Sequence, residues 1–437
     1  MPEGPAEGIL IGTVVNPAGL ILAKAVSAGA VAAFADPGLG ASPTWHGFAI
    51  DRAGIAVTDG ISVVGDQRLR IDRHAIRLID EGLAWAPASF FDQDGNPVPA
   101  CARGTLSRVQ SRLEQEGLRA EVGHEIEFVL VGPDGAPIPD RLWAQYGLAG
   151  VLEHEGFIRE AMAALSSAGV TVEQFHPEYG LNQFEVSLAP ASPVAAADQL
   201  VLARLLIGRV ARNHGLRVSM SPVPFAAGAG SGAHQHFSLL RGQVPIFSGG
   251  HGPHGLTPEG AAAIGGLVSG LEQARLVFCG SIVSGLRMRP GNWAGAYACW
   301  GTENREAAVR FLPATHGNRH GANVEVKVID PSANPYLATA AALGLALDGI
   351  EQGAALPAEV TVDPDALPAE QRARDGVVQL SADQADAIAA LDGSRRLRTV
   401  LGDPAVDALL AVRRYEQRYG DMSAEEITEL FRMAWSV

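Results

Sequence analysis

Cysteine is scarce in this chain. Three occur in 437 residues, at Cys101, Cys279 and Cys299, with no spacing that suits a metal or a redox pair. An odd, sparse set excludes a disulfide framework and fits reduced thiols in a cytoplasm. Positive charge is also short: 33 Lys and Arg stand against 48 Asp and Glu, a net charge of -15. A nucleic-acid partner needs a basic footprint, so none is expected. The acidity serves solubility and suits cationic small molecules drawn in by the field. No apolar run is long enough to span a membrane. The start, Met-Pro-Glu-Gly-Pro-Ala-Glu-Gly, lacks the basic segment of a secretion signal. Internal repeats and long low-complexity segments are missing too. A globular chain with ample core remains, long enough for two or more domains.

Residues 9 to about 72 read as short β segments, among them Ile9 to Val15, Gly54 to Val57 and Ile61 to Val64. Residues 38 to 43 read as a loop. The turn-rich stretch 92 to 97 places a boundary near residue 100. A helix is expected from about Thr105 to Gln115, stopped by Gly117. Ser192-Pro193 opens another that runs to about His214, and Thr257-Pro258-Glu259 has a cap, a first-turn proline and an acid at the positive end of a third. Residues 333 to 352, mostly Ala and Leu, predict a buried helix.

The chemistry concentrates in acidic strands. Glu125 and Glu127 stand two apart in Gly-His-Glu-Ile-Glu-Phe, so on a strand they share a face. Two carboxylates side by side call for a cation between them, and a hard divalent metal suits. Glu178 and Glu185 flank a Gly- and Asn-containing turn that returns one towards the other. His234 and His236 stand two apart on an expected strand, and Glu325 lies alone on an alternating one. Carboxylates with imidazole favour Mg²⁺ or Mn²⁺ over zinc.

These segments, in this order, resemble the glutamine synthetase family. The resemblance runs from Gly-Thr-Val-Val-Asn-Pro-Ala-Gly (12 to 19) through Glu-Ile-Glu-Phe, the two-glutamate turn and Gly-Ser-Gly-Ala-His-Gln-His. It ends with Asn-Arg-Glu-Ala-Ala-Val-Arg and Glu-Val-Lys-Val-Ile-Asp-Pro-Ser-Ala-Asn-Pro-Tyr. The chain is most similar to the paralogues that join glutamate to organic amines, the gamma-glutamylpolyamine synthetases. The resemblance implies an α+β fold: a small β-grasp-like domain over 1–100, and a catalytic domain over 101–437 built on a curved antiparallel sheet. It implies a homo-oligomer, a dodecamer of two stacked hexameric rings, with each active site between one subunit's large domain and its neighbour's small one.

The implied reaction is ligation of the γ-carboxylate of L-glutamate to a small amine, driven by ATP through γ-glutamyl phosphate. By resemblance, Glu127, Glu178 and Glu185 hold a metal near glutamate. Glu125, His234 and Glu325 hold the metal on the nucleotide. Glu173, His236 and Ser238 lie where the family contacts ATP. Arg287 matches the arginine on the glutamate carboxylate, in preference to nearby Arg289. Arg305 and Arg310 match phosphate-contacting arginines. Asp51, with Asp66 as the alternative, is the candidate base offered across the subunit interface.

Departures from the family pattern bear on the substrate. Pro290-Gly291 is followed by Asn292 and Trp293 where glutamine synthetases proper carry a glutamate that helps bind ammonium. Tryptophan cannot take a proton, but it can wall a methylene chain or stack beneath a cationic amine. Ala229 replaces an asparagine, leaving Gly230 as the backbone contact. Lys327 replaces an arginine on the substrate carboxylate, and Asn323 replaces another near the phosphates. No tyrosine occurs over 351–380, so adenylylation control is not expected. The organic amine expected is a polyamine such as putrescine, spermidine or spermine. Ammonia, ethanolamine and a non-catalytic ring-forming paralogue are the alternatives.

Overall fold

The computed structural model describes residues 7–437, so most of the polar start, on which the expectation of no secretion signal rests, lies outside the described residues. The first sheet contains β1 (Ile9–Val15), β2 (Ile21–Ser27), β3 (Leu39–Ala41), β4 (Gln67–Ile71), β5 (Arg77–Asp80) and β6 (Leu83–Phe91). Its order is β2-β1-β6-β4-β3, with β5 also on β6. Strands β1 and β6 run parallel, and the other pairs are antiparallel. Alternation gives the sheet two apolar faces. Leu10, Val14, Leu69 and Phe90 enclose a small core with Phe34 of helix α1 (Val31–Ala35). Val15 and Trp85 enter the large core instead.

Two expected segments are not strands. Gly54 to Val57 and Ile61 to Val64 make only isolated bridges, Phe48 with Ile55 and Thr58 with Ile61. Their β-branched composition suits a pleated surface, but Val57, Val63 and Val64 are 62%, 79% and 78% exposed. Ala56 and Ile61 are buried, but these exposed valines have no core to pack against and no ladder forms. Conversely, Leu39–Ala41, inside the stretch expected as a loop, pairs with β4 at the sheet edge.

The second sheet contains β7 (Leu118–Val131), β8 (Val172–Pro177), β9 (Gln183–Leu188), β10 (Arg217–Ser219), β11 (Gln235–Arg241), β12 (Val244–Pro245), β13 (Tyr297–Thr302), β14 (Ala307–Leu312), β15 (Asn323–Val326) and β16 (Val378–Gln379). Its order is β16-β13-β14-β15-β11-β7-β9-β8, with β10 on β7 and β12 on β11. Its pairs are antiparallel except β13 with β14, which is parallel.

Helices cover one face of this sheet. They are α2 (Ala102–Gln115), α3 (Leu148–Glu153), α4 (Glu155–Ser167), α5 (Pro193–Asn213), α6 (Pro258–Cys279), α7 (Ser284–Arg287) and α8 (Pro335–Gln352), followed by further helices to Phe431. Helices α2 and α5 pack on β7, and α6 packs on β13 and α8. Helix α2 begins at Ala102, ahead of the expected Thr105. Start signals held elsewhere. Pro193 opens α5, and Thr257 accepts from the Gly260 amide at the head of α6; the cap at the head of α8, where Asn334 accepts from Tyr336 and Leu337, went unread. No helix among the described residues is long and apolar enough to cross a membrane.

Candidate active site

Strand β7 sorts its side chains by the two-residue period. Leu118, Ala120, Val122, Ile126 and Phe128 enter the core. Glu121, Gly123, Glu125 and Glu127 face a cavity of about 1190 Å³. Neighbouring strands do the same with Glu185, His236 and Glu325. Register then decides who meets whom. Glu185 lies opposite both Glu127 and His176, while Glu325 lies opposite both His236 and Arg310. His234 precedes β11 rather than lying on it, yet its carbonyl still accepts from the Glu125 amide at 2.9 Å. Gly232 makes room for this ring, because a Cβ there would come 2.4 Å from His234 Nε2.

His234 joins two acidic groups. Its Nδ1 lies 3.1 Å from Glu125 Oε2 and 3.7 Å from Glu325 Oε1, and its Nε2 lies 3.8 Å from Glu127 Oε1. Three sets could each hold a metal ion: Glu125, His234 and Glu325; Glu127, Glu185 and His234; and His176, Glu178 and Glu185. Oxygen donors with one imidazole fit Mg²⁺ or Mn²⁺, and no cysteine joins them. His236 Nε2 and Arg310 Nε are buried without a hydrogen-bond partner, as groups awaiting an anionic or metal-bound ligand would be.

The protein's own cations offset part of this negative charge. Burial alone would raise Glu325, but Lys327, His236 and His234 outweigh it and hold the carboxyl below its usual range. Burial likewise opposes ionisation of Glu125, and the His234 hydrogen bond together with the His236 imidazole 3.5 Å away reverses that. Glu185 is different: burial and the Glu125 charge push it up to about 7. Its hydrogen bond raises His176 to about 9. His236 also reaches about 9, since Glu125 and Glu325 more than offset its burial. These protons are the ones a divalent ion would displace.

All the expected site residues except Asp51 line this one cavity. Arg310 donates to Glu325 Oε2 at 2.8 Å, and Lys327 Nζ lies 3.2 Å from Glu325 Oε1. Arg287, in α7, donates to the carbonyls of Lys327 and Val328. A Cβ at Gly230 would come 2.9 Å from its Cγ. Arg305 is exposed and makes no ion pair among the described residues, whereas Glu173 is taken by Arg319. Ser238 donates to the Ala322 carbonyl, and Asn323 Oδ1 lies 2.9 Å from His236 Nδ1 and orients that ring. Trp293 is 46% exposed at the cavity, with a left-handed backbone at φ 51°. Its ring meets Tyr179 edge-on at 5.4 Å, and its amide donates to Glu306.

Asp51 has another task within the chain. Its carboxylate accepts from Tyr415 and Tyr419 and from the Ala53 and Gly54 amides. Burial raises its pKa, but these hydrogen bonds outweigh that and bring it to about 2. Within the chain these bonds place Asp51 beside the C-terminal helices and outside the cavity. Two cavity residues escaped the sequence reading. His176 bridges Glu178 and Glu185, and Gln183 donates to Glu127, to the Gly230 carbonyl and to Ser231. Each stands two residues before a named glutamate, so the strand period that linked Glu125 with Glu127 would have found both.

The family description "Glutamine synthetase, catalytic domain" matches residues 99–430. The gamma-glutamylpolyamine synthetase GlnA3 of Streptomyces coelicolor is 39% identical over 407 residues, covering 91% of this chain and 87% of that protein. The glutamine synthetase of Pyrococcus abyssi is 32% identical over 317 residues, 72% of this chain and 71% of the relative. Among solved structures, one described as a novel glutamine synthase homolog superposes with a TM-score of 0.88 at 27% identity, covering 100% of both chains. GmaS in complex with ADP follows at 0.83 and 25%, covering 96% of this chain and 95% of that one.

Proposed function

The chain belongs to the glutamine synthetase family, and from that premise we propose that it ligates the γ-carboxylate of L-glutamate to an organic amine at the expense of ATP. The amine is a polyamine of the putrescine, spermidine or spermine kind. The observation that carries the reading is the convergence of Glu125, Glu127, Glu178, Glu185, Glu325 and His234 on one cavity. A side-chain oxygen of glutamate attacks the γ-phosphorus of ATP, and ADP leaves. The amine nitrogen then attacks the acyl carbon, phosphate leaves with the bonding pair, and the nitrogen gives up one proton to the departing phosphate. Phosphoryl transfer depends mainly on positioning and on neutralising charge. Divalent ions held by these carboxylates and His234 would supply that neutralisation on the phosphate oxygens.

In this reading Glu127, Glu178 and Glu185 serve the glutamate side, and Glu125, His234 and Glu325 the nucleotide side. Arg310 and Arg305 face the phosphates, while Glu173, His236 and Ser238 border the nucleotide. Arg287, Lys327 and Gly230 border glutamate. Trp293 and Tyr179 form an aromatic wall for the amine's methylene chain. The pairing of Lys327 with Glu325 supports a weaker carboxylate grip than an arginine fork would give. The same reading takes a division near residue 100, a cytoplasmic setting and a dodecamer of two stacked rings.

A panel of amines, scored by phosphate release with glutamate, ATP and Mg²⁺, tests the proposal. Polyamines are expected to turn over, with ammonium giving little. Robust turnover with ammonium alone would leave a glutamine synthetase, and turnover with ethanolamine alone would move the amine class. No heat of ATP–Mg²⁺ binding in calorimetry would leave a non-catalytic scaffold.

A further inference from the structure

Glu306 is a buried acid to which the proposed ligation gives no task. It is 8% exposed, lies in the connection between β13 and β14, and does not line the cavity. Its Oε1 accepts from the Trp293 amide at 3.0 Å. Trp293 does line the cavity, with its left-handed backbone, and Gly291 two residues earlier is left-handed too, at φ 76°. We infer that Glu306 is a positioning residue for the amine: its carboxyl anchors the loop 289–295 so that the Trp293 ring stands against Tyr179 at the cavity. This inference rests on the proposed function, in which those two rings border the amine.

The anchor is itself held from behind. The Glu306 amide donates to Asn304 Oδ1 at 3.1 Å, and the Asn304 NH₂ group donates to the carbonyls of Val360 and Val362, each at 2.9 Å. A line of hydrogen bonds therefore runs from segment 360–362 to the Trp293 backbone. Burial, aided by the Asp363 charge, pushes the Glu306 carboxyl above its usual range, against the pull of the Trp293 amide, Lys327 and the Gly291 amide. Either protonation state leaves an oxygen to accept. A left-handed backbone is unfavourable for a bulky residue and persists where surrounding contacts fix it. The loop's ends are fixed as well. The Arg289 amide donates to the Arg287 carbonyl at 2.8 Å, and a Cβ at Gly295 would come 3.0 Å from the Ala308 Cα. Between these ends, Glu306 supplies the tie to Trp293.

The location gives the anchor a role. Across the cavity the Trp293 ring meets Tyr179, whose amide donates to Glu178 Oε2 at 3.0 Å. The edge-on contact thus joins the loop to the acids assigned to the glutamate side. Freeing the loop would part the two rings. An amine with a methylene chain would then lose apolar contact, whereas ammonium has none to lose. Glu306 also follows Arg305, which lines the same cavity. An effect confined to the amine therefore separates anchoring of the loop from displacement of Arg305.

Fluorine NMR of the full chain labelled with 5-fluorotryptophan reads the anchor. The chain has six tryptophans, and Trp293→Phe identifies the resonance of that one. Glu306→Leu should shift it and leave the others in place, which reports an intact fold. Glu306→Asp, with a shorter reach, should do the same to a lesser degree, and serves if the leucine variant does not fold. Steady-state kinetics read the role. Glu306→Leu should raise KM for spermine about tenfold, the scale of one lost buried hydrogen bond, with KM for ATP unchanged. Glu306→Gln keeps an acceptor oxygen and should restore both the resonance and KM. An unmoved Trp293 resonance, no rescue by glutamine, or an equal loss for ATP would overturn the inference. A wild type that turns over no polyamine would defeat the proposed function and the amine role with it, while the Trp293 resonance still decides whether Glu306 anchors the loop.

Discussion

Trp293 keeps its backbone at φ 51°, a conformation that costs a bulky residue about 1–3 kcal/mol. The neighbouring contacts that hold it are the amide bond to Glu306 and the Tyr179 ring. Trp293→Glu should raise turnover with ammonium relative to long amines in the same phosphate-release panel. An unchanged amine profile would remove Trp293 from the pocket. Asp51 carries a pH signature. Its folded pKa of about 2 lies below the ordinary 3.8. The unfolded chain therefore binds more protons in that window, and stability rises with pH across it. The contribution is complete above 3.8 and fades as pH falls towards 2. Urea melts of wild type and Asp51→Asn should show a gap that is steady above about pH 5 and shrinks on acidification. A gap that widened instead would contradict the assigned hydrogen bonds.

Among the elements, the crossing of α6 and α8 depends on two glycines. A Cβ at Gly266 would lie 2.4 Å from the Gly349 Cα and 2.5 Å from the Leu345 carbonyl. Neither backbone can yield without separating the helices. Gly266→Ala should thus destabilise the fold by about 1–3 kcal/mol, despite alanine's better helix propensity. Calorimetry should show a lower thermal midpoint, and a higher one would mean that the helices part easily. Helix starts were legible because a cap and a first-turn proline act locally, as at Thr257-Pro258, and Pro193 likewise opens α5. The short N-terminal strands were less so. Val63 and Val64 have strand-like side chains but no core behind them, whereas Leu39–Ala41 becomes a strand only because β4 lies alongside.

For the whole molecule, the proposed metal site would link stability to cation binding. Unfolding disperses the cluster, so a cation that binds only the folded form raises the midpoint by mass action. The gain is about 2.7 kcal/mol at a hundred times the dissociation constant. Mg²⁺ or Mn²⁺ should raise the melting temperature and EDTA should reverse the rise. Glu127→Ala should diminish it and abolish phosphate release. An equal rise in that variant would place the cation elsewhere.

The available chemistry is readable from the chain alone: glutamates two apart on strands, histidines two apart, and a tryptophan after Pro290-Gly291. Strand period and turn composition are local properties, so these residues and their shared faces could be read directly. Tertiary structure decided the partnerships. It placed His234 between two acidic groups, set His176 opposite Glu185, gave Asp51 to two C-terminal tyrosines, and tied the Trp293 amide to Glu306. Such meetings depend on sheet order and register between segments far apart in the chain, and a local sequence pattern specifies neither.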